Sequence, residues 1–268
     1  MSNKKILRIK TRMRSLLFIG LSILIATLLI SPVPAQASGD PNMQLLISPN
    51  PAPQNAGEHH ALIIGFCDGS FRPLDTITRA QAATILFRFM SDEDREAYQK
   101  QQNPFTDVEI DHWYNTAIST VTNAGLIAGM PDGSFQPNRT ITRAEFTAIL
   151  TAPATISHIY PGLKDSETTR LLDLGEYYYS IPLFSDIHGH WAEDAINTAA
   201  RHGWIVGYEG LGGKFLPDQA ITRAEAAAII CRAHGRRPSS TMIPGMRTFT
   251  DNTDPNAWYY LYVLEAAN

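Results

Sequence analysis

The tetrapeptide Ile-Thr-Arg-Ala occurs three times, at 77–80, 141–144 and 221–224, and each copy follows a loop with the same punctuation. Gly65-Phe66-Cys67-Asp68-Gly69-Ser70-Phe71 precedes the first copy and Gly129-Met130-Pro131-Asp132-Gly133-Ser134-Phe135 the second. Gly207-Tyr208, then Gly212-Gly213-Lys214-Phe215, precedes the third. Pro73, Pro137 and Pro217 each stand two residues after the loop phenylalanine. Elements repeated in fixed order constrain the fold strongly, because one such unit cannot bury its apolar face alone and must share a core with its neighbours.

Each unit reads as two halves. The second half is the loop and a capped helix. In Thr142-Arg143-Ala144-Glu145 the threonine is placed to cap the helix while the glutamate three residues on bonds back to the cap's own N–H; Thr222 and Glu225 repeat this box, and Thr78 with Gln81 uses the permitted amide. Helices continue through 82–89, 146–150 and 226–232, rich in Ala, Ile and Leu. Loop glycines are expected to supply positive φ, and Asp68 and Asp132, each before a glycine, read as turn formers.

The first half opens Phe-Ser/Thr-Asp, at 105–107, 184–186 and 249–251, followed by Trp113, Trp191 and Trp258 at the expected helix starts. Residues at +4, +5 and +8 from each Trp are apolar or aromatic: Ala117, Ile118, Val121; Ala195, Ile196, Ala199; Tyr262, Val263, Ala266. That spacing is one face of an amphipathic helix, and Gly125 and Gly203 read as C-terminal caps of two of them.

Residues 1–37 read as a secretory signal. A basic start (Lys4, Lys5, Arg8, Lys10, Arg12, Arg14) leads into an apolar stretch over 16–30, then Ala35-Gln36-Ala37 as a cleavage site. The stretch is short of the ~20 residues a bilayer span needs, although an uncleaved anchor remains the alternative. The signal holds six of the 22 basic residues and none of the 26 acidic ones, so the remainder carries a net charge of −10. That balance opposes non-specific binding to nucleic acid or an anionic membrane. Cys67 and Cys231 are open to two readings, a single bridge or two separate thiols.

The combination of F-[ST]-D, Trp, G-x-[ILV]-x-G, the G-x-F-x-P loop and I-T-R-A-[EQ] resembles the S-layer homology (SLH) family, the modules by which bacterial surface proteins attach to the cell wall. The resemblance implies an all-α bundle of helix–loop–helix units in pseudo-threefold arrangement. The expected organisation is a signal peptide at 1–37 and a Pro-rich segment at 38–60. Then come a half-unit at 61–90, units at 105–151 and 184–236 separated by a connector at 152–183, and a closing half-unit at 249–268. The first unit has Pro49 where its Trp is due, so it lacks a first half. Either the last half-unit completes it by circular permutation, or the chain is truncated. The Tyr177-Tyr178-Tyr179 run lies in the connector, which is expected to add a packing helix; the acidic run at 92–96 is expected to extend or cap a helix.

Arg79, Arg143 and Arg223 are the candidate ligand-binding residues. Each sits in the first turn of a helix, where the macrodipole disfavours a cation, and capping gives no reason for it. One reading is a fork presented to a carboxylate beside free helix N–H groups; the other is a salt bridge to a neighbouring acid such as an F-[ST]-D aspartate. The resemblance implies the first, with a pyruvylated secondary cell-wall polysaccharide as ligand. Trp113, Trp191 and Trp258 read either as core or as a groove wall for a sugar ring. Gly65, Gly129 and Gly207 read as backbone-conformation residues that also admit a ligand closely.

Metal and catalytic chemistry find no pattern to rest on. Asp68-Gly69 and Asp132-Gly133 lack the oxygen-rich spacing of a calcium loop. His188-Gly189-His190 and His59-His60 lack a third ligand and read as surface histidines. No G-x-S-x-G, H-E-x-x-H or P-loop occurs, and Glu145 and Glu225 are accounted for as caps. The expectation is a non-enzymatic, cofactor-free protein, exported to the cell wall or surface, that binds a wall polymer non-covalently. A surface-layer structural subunit, or an adaptor recruiting another protein, is the alternative.

Overall fold

A computed structural model of the chain describes residues 61–100, 102–159, 183–208, 213–236, 238 and 246–268. The expected signal peptide, the Pro-rich segment, His59-His60, Gly212, the tyrosine run and most of the connector lie outside the described residues.

Among the described residues the regular structure is helical: α1 (Arg79–Phe89), α2 (Asp92–Tyr98), α3 (Asn115–Asn123), α4 (Arg143–Thr151), α5 (Pro153–Ile159), α6 (Glu193–Arg201), α7 (Arg223–Ala233) and α8 (Tyr260–Ala266). The chain is all-α, with isolated bridges and no sheet among these residues. The acidic run forms a separate short helix, α2, whose cap Ser91 Oγ accepts from Asp94 N–H at 3.0 Å. The tryptophans are not the first helical residues, since α3, α6 and α8 begin two positions after them.

Three capped helices, α1, α4 and α7, start from a common centre. There Ile77 N–H donates to Ile221 C=O, Ile221 to Ile141, and Ile141 back to Ile77, each at 3.1 Å. This closed cycle of three bonds needs three copies of the same extended tetrapeptide, and β-branched Ile and Thr suit the extended backbone it requires. Ile77, Ile141 and Ile221, with Phe71, Phe135 and Phe215, are at most 1% exposed and form the apolar centre. Burying each phenylalanine contributes roughly 2–3 kcal/mol.

Each capped helix packs against the first-half helix of the following unit: α1 on α3, α4 on α6, and α7 on α8. In α7, ten of eleven residues are buried, which is why seven of the eleven are Ala or Ile and no polar face runs along it. The last pair closes the circle, because the segment leading into α8 also meets the first loop. Asp251 accepts from Phe71 and Arg72 N–H, Thr250 N–H donates to Gly69 C=O, and the Phe71 and Phe249 ring centroids are 5.3 Å apart. Leu62 and Ile63 N–H both donate to Ala266 C=O. These are the contacts that Asp107 and Phe105, or Asp186 and Phe184, make within a single unit.

Candidate ligand junctions

The loop geometry positions the rest of each junction. Asp107 accepts from Phe135 and Gln136 N–H at 2.7 Å each, and Asp186 accepts from Phe215 and Leu216 at 2.8 and 2.7 Å. The second residue of each pair is left-handed without being glycine: Arg72, Gln136 and Leu216 have φ of 58°, 58° and 57°. Such a conformation costs of order 1 kcal/mol or more and needs external support. The F-[ST]-D carboxylate supplies it. A second turn within the loop is local: Asp132 Oδ1 accepts from both the N–H and the hydroxyl of Ser134, which holds its carboxyl below the ordinary range. Asp68 does the same with Ser70 and pairs with Arg72 at 2.9 Å, so its oxygens serve a turn.

Each loop phenylalanine is held on both sides. While its N–H donates to the aspartate of its own unit, its carbonyl accepts from the arginine of the preceding one. Arg79 Nε donates to Phe135 C=O at 2.9 Å, Arg143 Nε to Phe215 C=O at 2.8 Å, and Arg223 Nε to Phe71 C=O at 2.7 Å. Each guanidinium also lies over the same phenyl ring, 4.5–4.8 Å from its centroid. Arg79 Nη2 donates to Ala128 C=O and Arg223 Nη2 to Ile64 C=O, both at 2.9 Å. Arg143 instead donates from Nη1 to Glu225 Oε1 at 2.9 Å. All three arginines are buried, at 5%, 3% and 4% exposure. Burial is the main force that lowers Arg79 and Arg223 to about 10; Arg139 adds to this at Arg79, where Glu145 opposes it.

Two expectations about these arginines need correcting. The helix N–H groups beside them are not free. Arg79 and Ala80 N–H donate to Arg139 and Pro137 C=O, Arg143 and Ala144 to Gln219 and Pro217, and Arg223 and Ala224 to Asp75 and Pro73. The neighbouring loop satisfies the orphan donors that an anion would otherwise meet. Nor does any of the three pair with an F-[ST]-D aspartate, whose oxygens are engaged by the loop N–H groups.

The caps complete each helix start. Thr78, Thr142 and Thr222 Oγ1 accept from Gln81, Glu145 and Glu225 N–H, and those side chains accept from the threonine N–H groups in return. Glu145 is further clamped by Arg139, at 2.7 and 3.3 Å.

Gly65, Gly129 and Gly207 lie beside the arginine-bonded carbonyls of Ile64 and Ala128 and the equivalent Val206. None has positive φ; that role falls to Gly69, Gly133 and Gly213. A Cβ at Gly65, Gly129 or Gly207 would come within 2.3, 2.1 or 2.7 Å of the ring of Phe249, Phe105 or Phe184. These glycines are therefore dictated by packing against the first-half phenylalanine, which corrects the backbone-conformation reading. Trp113 and Trp191 are 61% and 51% exposed, and Trp258 is half-buried, so the core reading does not hold for the first two. The tryptophan that does enter the core is Trp204, at 3%.

Several residues at these junctions were missed by sequence reasoning. Phe66 lies under the Arg223 guanidinium at 4.8 Å and Tyr208 under that of Arg143 at 4.7 Å, each following the junction glycine by one residue. Arg72 and Arg139 add nearby cations, and an open cleft of about 480 Å³ beside the closing unit is lined by Arg72, Pro73, Leu74, Asp75, Asp251 and Tyr259. Repetition of aromatic or apolar residues at 66, 130 and 208 was the available signal.

His190 is more structural than a surface histidine: Nδ1 accepts from Ala192 N–H at 3.1 Å and Nε2 lies 3.2 Å from Asp218. No His, Cys, Asp and Glu cluster suited to a metal occurs among the described residues. Cys67 is exposed and Cys231 buried, both free thiols, and burial pushes the Cys231 thiol up. No described helix is long and apolar enough to cross a membrane.

The family model described as "S-layer homology domain" matches residues 57–83, 104–147 and 183–227. The chain is 36% identical over 212 residues to "Cell surface glycoprotein 1" of Acetivibrio thermocellus, covering 79% of this chain and 8% of that protein. It is 33% identical over 218 residues to the "Cellulosome-anchoring protein" of the same organism, covering 80% and 44%. To the "S-layer protein" of Bacillus licheniformis it is 29% identical over 168 residues, covering 63% and 17%. The chain thus spans less than half the length of these relatives.

Proposed function

Since the chain belongs to the S-layer homology family through these three matched segments, we propose that it anchors at the bacterial cell surface by non-covalent binding to an anionic wall polysaccharide. The observation that carries the reading is a charge imbalance. Arg79 and Arg223 are buried guanidinium groups whose Nε and Nη2 meet neutral carbonyls rather than a carboxylate. The nearest acids, Glu145 and Asp107 at Arg79 and Asp75 and Asp251 at Arg223, form no ion pair with them, and a buried charge left without a directly bonded carboxylate is costly. A carboxylate on a sugar, such as a pyruvate ketal, would balance it through Nη1, which makes no bond to the described residues. Exposed Trp113 and Trp191 supply flat apolar faces for sugar rings. The relatives' names, a cell-surface glycoprotein, an anchoring protein and an S-layer protein, support the surface location. The match to the family model and the likeness to an anchoring protein and an S-layer protein support a non-catalytic role.

The test is co-sedimentation of the purified protein with cell walls before and after mild acid removal of pyruvate. Native walls should pellet the protein and treated walls should leave it in solution. Equal pelleting by both would reject the acidic-sugar ligand. Replacing Trp113 and Trp191 by Ala should weaken pelleting while the melting temperature stays constant.

A further inference from the structure

The three junctions share one plan but differ in what faces the guanidinium. At Arg143 the chain provides its own carboxylate. Arg143 Nη1 and Glu225 Oε1 are 2.9 Å apart, with side chains 4% and 7% exposed. The Tyr208 hydroxyl donates to the same oxygen, while Glu225 Oε2 accepts from Thr222 N–H at 2.8 Å and Thr222 Oγ1 at 3.0 Å. Both carboxylate oxygens are thus engaged internally, and the buried charges cancel.

Neither other junction can do this. The residue that corresponds to Glu225 opposite Arg223 is Gln81, a neutral amide that accepts from Thr78 N–H. Opposite Arg79 it is Glu145, drawn aside by the bidentate clamp of Arg139. The residues that correspond to Tyr208 are Phe66 and Met130, which have no hydroxyl to hold a carboxylate in place. Other charges near Arg223 are Asp75, Arg72 and Asp251; near Arg79 they are Arg139, Glu145 and Asp107.

We propose that Glu225 and Tyr208 occupy the Arg143 junction as an internal stand-in for ligand, so that an external carboxylate is taken up at the Arg79 and Arg223 junctions only. The inference rests on the polymer-binding reading above. Its physical basis is that an incoming carboxylate at Arg143 would have to strand Glu225, buried and unpaired, which is the costly way to break such a pair. Glu225 and Tyr208 are therefore specificity residues that set the number of working sites.

The decisive variant is Glu225→Gln with Tyr208→Phe in the full chain, with Tyr208→Phe alone as a milder form. Gln81 shows that glutamine serves the capping box, and Arg79 and Arg223 show that the fold accepts these arginines without an ion pair. Calorimetric titration uses the methyl glycoside of an N-acetylhexosamine carrying a 4,6-pyruvate ketal as probe. The wild type should take up two equivalents and the double variant three. Two equivalents in both, or three in the wild type, would overturn the occlusion while leaving the polymer reading intact. No uptake by any form would overturn both.

Discussion

Replacing Asp251 by Ala tests how the circle closes. Its carboxylate accepts from Phe71 and Arg72 N–H at 2.7 Å each, across 180 and 179 residues of sequence, and holds Arg72 at φ 58°. Charge-assisted hydrogen bonds contribute about 1.5–3 kcal/mol apiece when sheltered. Asp251 is exposed, so about half of that is appropriate, or ~1.5–3 kcal/mol for the pair. For a domain of this size that lowers the melting temperature by roughly 3–12 °C. Amide exchange at Phe71 and Arg72 should accelerate about 12- to 140-fold, at about 1.4 kcal/mol per factor of ten. Asp251→Asn, which keeps one acceptor oxygen, should lose about half as much. The equivalent amides of Phe135 and Gln136, held by Asp107, should be unaffected. Unchanged exchange at Phe71 and Arg72, or equal acceleration at Phe135 and Gln136, would refute the argument.

Three further outcomes are expected. Gly129→Ala places a Cβ 2.1 Å from Phe105 and should destabilise by ~1–3 kcal/mol in urea unfolding, with recovery when Phe105 is shortened to Leu; no recovery would exclude the clash as cause. Because burial lowers the free Arg79 and Arg223 guanidiniums to about 10, carboxylate binding should be flat from pH 6 to 9 and decline as pH rises through about 10, read by titration calorimetry; binding undiminished at pH 11 would contradict that burial. Deleting 249–268 should remove the partner of α7 and of the first loop, and hydrogen exchange should rise around Arg223 and Phe71 more than around Arg143.

The secondary structure and the threefold order were legible because their causes are local. Thr142 and Glu145 are three residues apart, and the apolar spacing 117, 118 and 121 lies within two turns of helix. The fate of the arginines was not legible, because the acceptors of Arg79 are 56 and 49 residues away and those of Arg143 are 72 and 82 away. A motif repeated with one spacing also hides its exceptions. Only the fold shows that Glu145 and Glu225, identical as caps, are held by different arginines, Arg139 in one case and Arg143 in the other. The glycines were assigned the wrong cause for a similar reason, since the ring of Phe105 that excludes a side chain at Gly129 is brought there by the packed unit.

The cycle of backbone bonds among Ile77, Ile141 and Ile221 has a temporal consequence. Loop residues near Phe71 leave the ribosome long before Arg223 and Asp251, their partners 152 and 180 positions later, have been made. Until then the left-handed turn at Arg72 has neither clasp to support it, so the earliest third of the bundle cannot lock into its final shape ahead of the rest. Such late, non-local closure slows folding and keeps the growing chain pliable until its last helix has been made.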